Sequence, residues 1–188
     1  MNFCVGEKVV YPNQGVSIVQ AITNRPEEGG EADRVYELRV LSNDSRVFVT
    51  SKRISDVGLR PVVKVSEVRR IFDLLGDGRV EPQGNWKGRF KENSDKMRTG
   101  SLMEVATVLK GLTYLSKKKS LSFREKFMLE RARFLIVSEI AEVEGKTQAA
   151  IEERVERALT RTLDGDRGAV AKKPVQKPVG VRRRVRDA

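Results

Sequence analysis

The 188-residue chain contains no histidine, one cysteine and one tryptophan. Without imidazole, Ser-His-Asp and Cys-His catalysis are excluded, as is every usual zinc or iron site that uses a histidine ligand. The single cysteine, Cys4, makes neither a disulfide framework nor a two-cysteine metal clip; it is expected to fill a core position on a strand. Long apolar runs are also missing, and none approaches the roughly 18 residues a membrane helix needs. The opening stretch "MNFCVGEKVVYP" lacks the basic-then-apolar plan of a secretory signal. These absences predict a reduced, cytoplasmic protein of one ordinary domain or two small ones.

What the chain does have is an excess of positive charge, unevenly placed. The net charge is +11, with 37 basic and 26 acidic side chains. Residues 1–60 carry eight of each sign and are neutral. Residues 61–165 carry 21 basic against 16 acidic side chains, and residues 166–188 carry eight against two. A polyanionic partner should therefore meet the middle and end of the chain rather than the beginning.

The first sixty residues read as strands. "EKVVY", "VSIVQAI", "RVYELRVL" and "RVFVTS" are short β-branched or aromatic runs. The turn "PNQG", the polar loop "TNRPEEGGEAD" and the turn "SNDS" separate them, which is the pattern of a small antiparallel barrel. After "GLRPVV" the apolar period changes from two to about 3.6. Ser66 is placed to cap a helix ending at Gly76, and a loop through Pro82 and Gly84 leads to a helix around Trp86 that stops near Gly100. Ser101 with Glu104, and Ser122 with Glu125, have capping-box spacing for two further helices. Apolar stripes follow at Leu102, Val105, Ala106, Leu109 and Leu112, then at Met128, Ala132, Leu135, Ile136, Ile140 and Val143. Thr147 is placed to cap a fifth helix. The remainder is basic, aperiodic and broken by two Lys-Pro steps, so it is expected to be disordered in isolation. The organisation predicted is α+β, with a β-barrel module (1–62), a compact helical module (63–164) and a basic tail (165–188).

Few residues suggest chemistry. Gly145-Lys146-Thr147 imitates the end of a phosphate-binding P-loop, but position 140 is Ile where the motif needs glycine, and a helix precedes it rather than a strand. A helix stop followed by an N-cap explains the same residues. Glu125, Glu130, Glu139, Glu142, Glu144, Glu152, Glu153 and Glu156 are spread along helix faces and read as solvated surface. Lys117-Lys118-Lys119 reads equally as a phosphate contact or a solvated loop. Trp86 stands in "GNWKGRFK" among polar, small and cationic residues. Two readings stay open from composition: a core tryptophan packed beside Phe90, or an exposed ring that meets a base while Lys and Arg hold phosphates.

Several separate stretches, in order over about residues 1–160, give the chain a specific likeness. "VGEKVVYPNQGV", "VGLRPVV", "NWKGRFK", "TGSLMEVATVLKGL" and "LSFREKFMLERARFLIVSEIA" resemble the CarD/CdnL group of bacterial RNA polymerase-binding transcription regulators. The resemblance implies a Tudor-like barrel that docks on the polymerase β subunit. It also implies a helical domain that touches promoter DNA at the upstream edge of the melted bubble, with Trp86 as a minor-groove wedge. By the same resemblance Arg89 and Lys91 are DNA contacts, with Lys87 expected to compensate for the glycine that follows it, while Arg25 and Phe48 are polymerase contacts. Relatives often place two arginines in succession after the tryptophan, and here Gly88 holds the first of those positions. The tail lies outside the resemblance.

The expectation is a monomeric, nucleoid-associated transcription initiation regulator with no enzymatic activity, cofactor or metal. Two other readings are compatible with the composition. One is a DNA-coating protein that never meets polymerase. The other is a relative of the transcription-repair coupling translocase, which shares the barrel module but needs helicase motifs; this chain has no Walker A sequence.

Overall fold

The computed structural model describes residues 2–26, 33–80 and 86–170, the side chains of 86, 87 and 164–170 excepted. Four strands come first: β1 (Lys8–Tyr11), β2 (Gly15–Arg25), β3 (Asp33–Val40) and β4 (Arg46–Thr50). A 3-10 turn (Ser51–Arg53) and the one-turn helix α1 (Ile54–Val57) lead to a two-residue strand, β5 (Arg60–Pro61). The sheet is antiparallel in the order β4-β3-β2-β1-β5, the strand order of the small Tudor-like barrel expected. Val9, Val19, Tyr36, Leu38 and Val49 fill its inner side with Phe3, Ile54 and Leu59.

Two expectations for this module are corrected. Cys4 is exposed; the core position next to it belongs to Phe3, whose ring meets Tyr36 edge-on at 5.9 Å. The first strand starts only at Lys8, so Cys4 lies ahead of the pleat that would have turned it inward. The loop expected from Thr23 also begins later. Thr23, Asn24 and Arg25 stay in β2, paired with Val35, Arg34 and Asp33, because cross-strand hydrogen bonding overrides their modest strand propensity.

The helices are α2 (Val65–Gly76), α3 (Trp86–Arg98), α4 (Leu102–Lys118), α5 (Phe123–Glu144) and α6 (Gln148–Val170). Ser66 lies inside α2 rather than capping it; the Lys64 N–H is satisfied instead by the Glu67 carboxylate at 2.9 Å. Ser101 Oγ accepts from the Glu104 N–H. Ser122 and Glu125 form the full reciprocal box, each side chain accepting from the other's backbone N–H. Gly145 ends α5 with φ +62°, and Thr147 Oγ1 accepts from the Ala150 N–H, so the P-loop imitation is a helix stop and a cap. Helix α6 runs six residues past the boundary drawn at 164. A helix already nucleated adds one hydrogen bond per residue and passes Gly165 and Gly168 despite their cost of about 1 kcal/mol each. Residues 171–188, with most of the basic tail, lie outside the described residues, as do Pro82 and Gly84.

Helices α2, α4, α5 and α6 bury one apolar cluster, closed from the side by Met97 of α3. The expected stripes of α4 and α5 are buried in it, with Val143 packed at its margin. A polar joint then fastens this cluster to the sheet. Arg60 donates to both oxygens of the buried Glu139 at 2.6 and 2.9 Å, and the Val63 N–H donates to the same carboxylate at 2.9 Å. Arg60 Nε donates to the Gly100 carbonyl at 2.6 Å. Lys8 pairs with Glu142, and Arg131 donates to the Asn13 carbonyl. Gly100 has φ +75°, and a Cβ there would stand 3.0 Å from Pro12, so glycine passes this joint with the least strain.

Candidate nucleic-acid and protein-binding surfaces

On the sheet, an irregularity decides which side chains face outward. Val19 is opposite Leu38 on the core side, but the register shifts at Gln20, and Ala21 is then opposite Glu37. One extra residue reverses the alternation beyond it. Odd positions of β2 face the core up to Val19 and face outward from Ala21, so Arg25 joins the outer side. Phe48 of β4 is opposite Glu37 and shares that side. The two residues singled out for polymerase thus lie on one face, four positions apart along β3, or about 13 Å. Phe48 is 64% exposed. Its strand is an edge: β4 pairs only with β3 among the described residues. Asp33, opposite Arg25, is held by the Ser51 hydroxyl at 2.5 Å. That hydrogen bond outweighs desolvation and, with Lys52, keeps its carboxyl below the usual range, so an anion stands beside the exposed guanidinium.

On the helical module, Trp86 opens α3; the side chains of Trp86 and Lys87 lie outside the described residues. Lys91 is exposed. Arg89 is not, and its assignment as a phosphate contact is corrected. Its side chain is only 4% exposed and is paired with Glu125, itself 6% exposed, at 2.8 Å from Nη2 and 3.2 Å from Nε. Position 89 comes one turn into α3, on the side that packs over the start of α5, where an uncompensated charge would be expensive. The pair therefore positions α3. Burial alone would raise the Glu125 carboxyl; the Ser122 N–H, the Arg89 guanidinium and the Ser122 hydroxyl outweigh it and hold it low.

Glu125 and Glu139, both read as solvated helix surface, are buried ligands of arginines. Their partners are 36 and 79 residues away in sequence, so helical spacing offered no signal for either. The remaining cations of this region stay outside. Lys117, Lys119, Arg124 and Lys126 are exposed at the α4–α5 corner, and the Lys118 ammonium lies 4.1 Å from the Tyr114 ring. No cluster of metal-ligating side chains occurs among the described residues.

Comparison with known proteins agrees with this division. Residues 3–63 match the family model "CarD-like/TRCF RID domain", and residues 70–156 match "CarD, C-terminal domain". The chain is 31% identical over 149 residues to the Bacillus subtilis (strain 168) protein named "Putative transcription factor YdeB". That alignment spans 79% of this chain and 97% of the relative. The chain belongs to the CarD-like family. The CarD-like chain is thereby a transcription regulator, and the two matched segments coincide with the sheet and the helical cluster. The polar joint that includes Arg60, Val63 and Glu139 lies where the first match ends. No helix among the described residues is long and apolar enough to cross a membrane.

Proposed function

We propose that this CarD-like protein docks its sheet on the β subunit of RNA polymerase. Its helical module then stabilises the promoter open complex through minor-groove contact at the upstream edge of the bubble. The observation that carries this reading is the shared outward face of Arg25 and Phe48, beside the unpaired edge of β4. An exposed aromatic, a cation and a free strand edge suit a protein partner that adds a strand or covers the ring. The cationic helices suit DNA instead. Trp86 is the wedge, with Lys87 and Lys91 as the phosphate contacts that remain once Arg89 is assigned to the fold.

In mechanism, neither contact needs to be tight. Anchoring on polymerase raises the effective concentration of the helical module at the promoter to about the millimolar range. Contacts available only after the duplex opens favour the open state by their differential affinity. About 1.4 kcal/mol of such preference shifts the equilibrium tenfold. The protein makes and breaks no bond in this scheme, acts as a monomer and works at the nucleoid.

The test is binding of purified β subunit to the full chain without DNA. Arg25→Glu should weaken it tenfold or more, roughly 1.4 kcal/mol, since the reversed charge repels as well as failing to attract. Unchanged affinity would remove Arg25 from the interface, and no binding by wild type would favour a protein that only coats DNA.

A further inference from the structure

The largest exposed apolar side chains of the helical module stand together. Phe123 and Phe127 are 85% and 68% exposed, four residues apart on the first turns of α5, and so share a face with a rise of about 6 Å between them. They border a groove of about 300 Å³ between α3 and α5, floored by Phe90, Met97 and Met128. Arg98, Arg124 and Arg131 stand around it, and the Arg124 guanidinium lies 5.9 Å from the Phe90 ring. No carboxylate occurs among the described residues that line it. Contiguous exposed apolar surface rimmed by charged side chains marks binding grooves more often than scattered exposed residues do.

Charge selects that occupant. Arg98 and Arg124 favour an anion, while Arg131 is already held by the Asn13 carbonyl and the Phe134 ring; all three repel the chain's own arginine-rich end. The rings and apolar floor require flat, poorly hydrated groups alongside the charge. A groove this narrow admits one or two planar rings but not the body of a duplex, whose bases are in any case stacked on one another. Phosphates that alternate with unstacked bases along a single strand meet both demands. The groove is also built on the helix that begins with Trp86, with exposed Lys91 and Lys126 beside it in the chain.

We propose that this groove is a stacking site for unpaired single-stranded DNA, in which Phe123 and Phe127 take bases and Arg98 and Arg124 take the phosphates between them. The inference rests on the reading of the helical module as the DNA-binding part. It adds that a melted strand next to the wedge is held, beyond the duplex contact.

Fluorescence anisotropy of the full chain with a labelled oligo(dT) of about 12 nucleotides, and with a duplex of equal length, tests it. Phe123→Ala/Phe127→Ala should lose roughly five- to hundredfold in affinity for the single strand. Duplex affinity and melting temperature should stay near wild type, because both rings are exposed. Phe127→Tyr, which keeps a ring, should retain single-strand binding. Unchanged single-strand affinity in the double variant overturns the proposal. So does an equal loss on duplex, which assigns the groove to paired DNA, and so does displacement of the oligonucleotide by an acidic, phenylalanine-containing peptide that binds more tightly. The wider reading fails separately: it falls if open-complex lifetime does not depend on Trp86, whatever the oligonucleotide shows.

Discussion

Glu125 shows how much one carboxylate does in this molecule. One oxygen takes the Arg89 guanidinium, and the other takes the Ser122 N–H and hydroxyl. A single side chain thus caps α5 and holds the first turn of α3, three residues from Trp86. Glu125→Gln keeps the shape but leaves a buried cation without its counter-charge. It should destabilise the fold by roughly 2–3 kcal/mol at pH 7 in urea unfolding. The pH dependence follows from the lowered folded value. Stability from Glu125 is complete above its unfolded pKa, about 4.3, and is lost as pH falls below that value and through the lower folded one. The variant should lack that share of the acid loss. Equal acid sensitivity in the two proteins would show that Glu125 does not carry it.

At the scale of elements, the joint between sheet and helices is the feature with a measurable cost. Arg60 of β5 reaches Glu139 in the last third of α5, and that carboxylate also receives the Val63 N–H. Glu139→Ala leaves the half-buried Arg60 guanidinium without its counter-charge and the Val63 N–H without its acceptor, so a loss of about 2–3 kcal/mol is expected. Urea unfolding followed by circular dichroism checks it, and a loss below about 1 kcal/mol would mean the joint is not structural. The same element shows what was legible in the sequence. The α5 stripe, its two-sided cap and its glycine stop follow from periods and spacings within one helix. Glu139 carries no such signal, since what buries it is a strand residue 79 positions earlier. The reversal of β2 at Gln20 was equally hidden: alternation alone places Arg25 on the core side, and only the pairing with β3 turns it outward. Resemblance points to Arg25 and Phe48, whereas their common face is a property of the register. Phe123 and Phe127 flank Arg124 and Lys126 in plain view, yet whether a phenylalanine beside an apolar stripe is covered depends on the neighbouring helix.

For the whole molecule, the polar joint holds sheet and helices in one fixed relation, and the proposed function uses that relation to orient two weak contacts. In the proposed function the neutral sheet meets a protein and the cationic helical cluster meets DNA, and α5 packed against β2 keeps their geometry from being lost to a flexible linker. Such tethering makes the DNA contact effective only where polymerase has already placed it. The central claim is that this contact holds the promoter open, and the lifetime of open complexes after addition of a competitor measures it directly. Wild-type protein should prolong that lifetime. Trp86→Ala should remove most of the effect, since base–aromatic stacking is worth about 1–3 kcal/mol, while its binding to polymerase stays intact. A Trp86→Ala protein that prolongs the open complex as well as wild type would contradict the account.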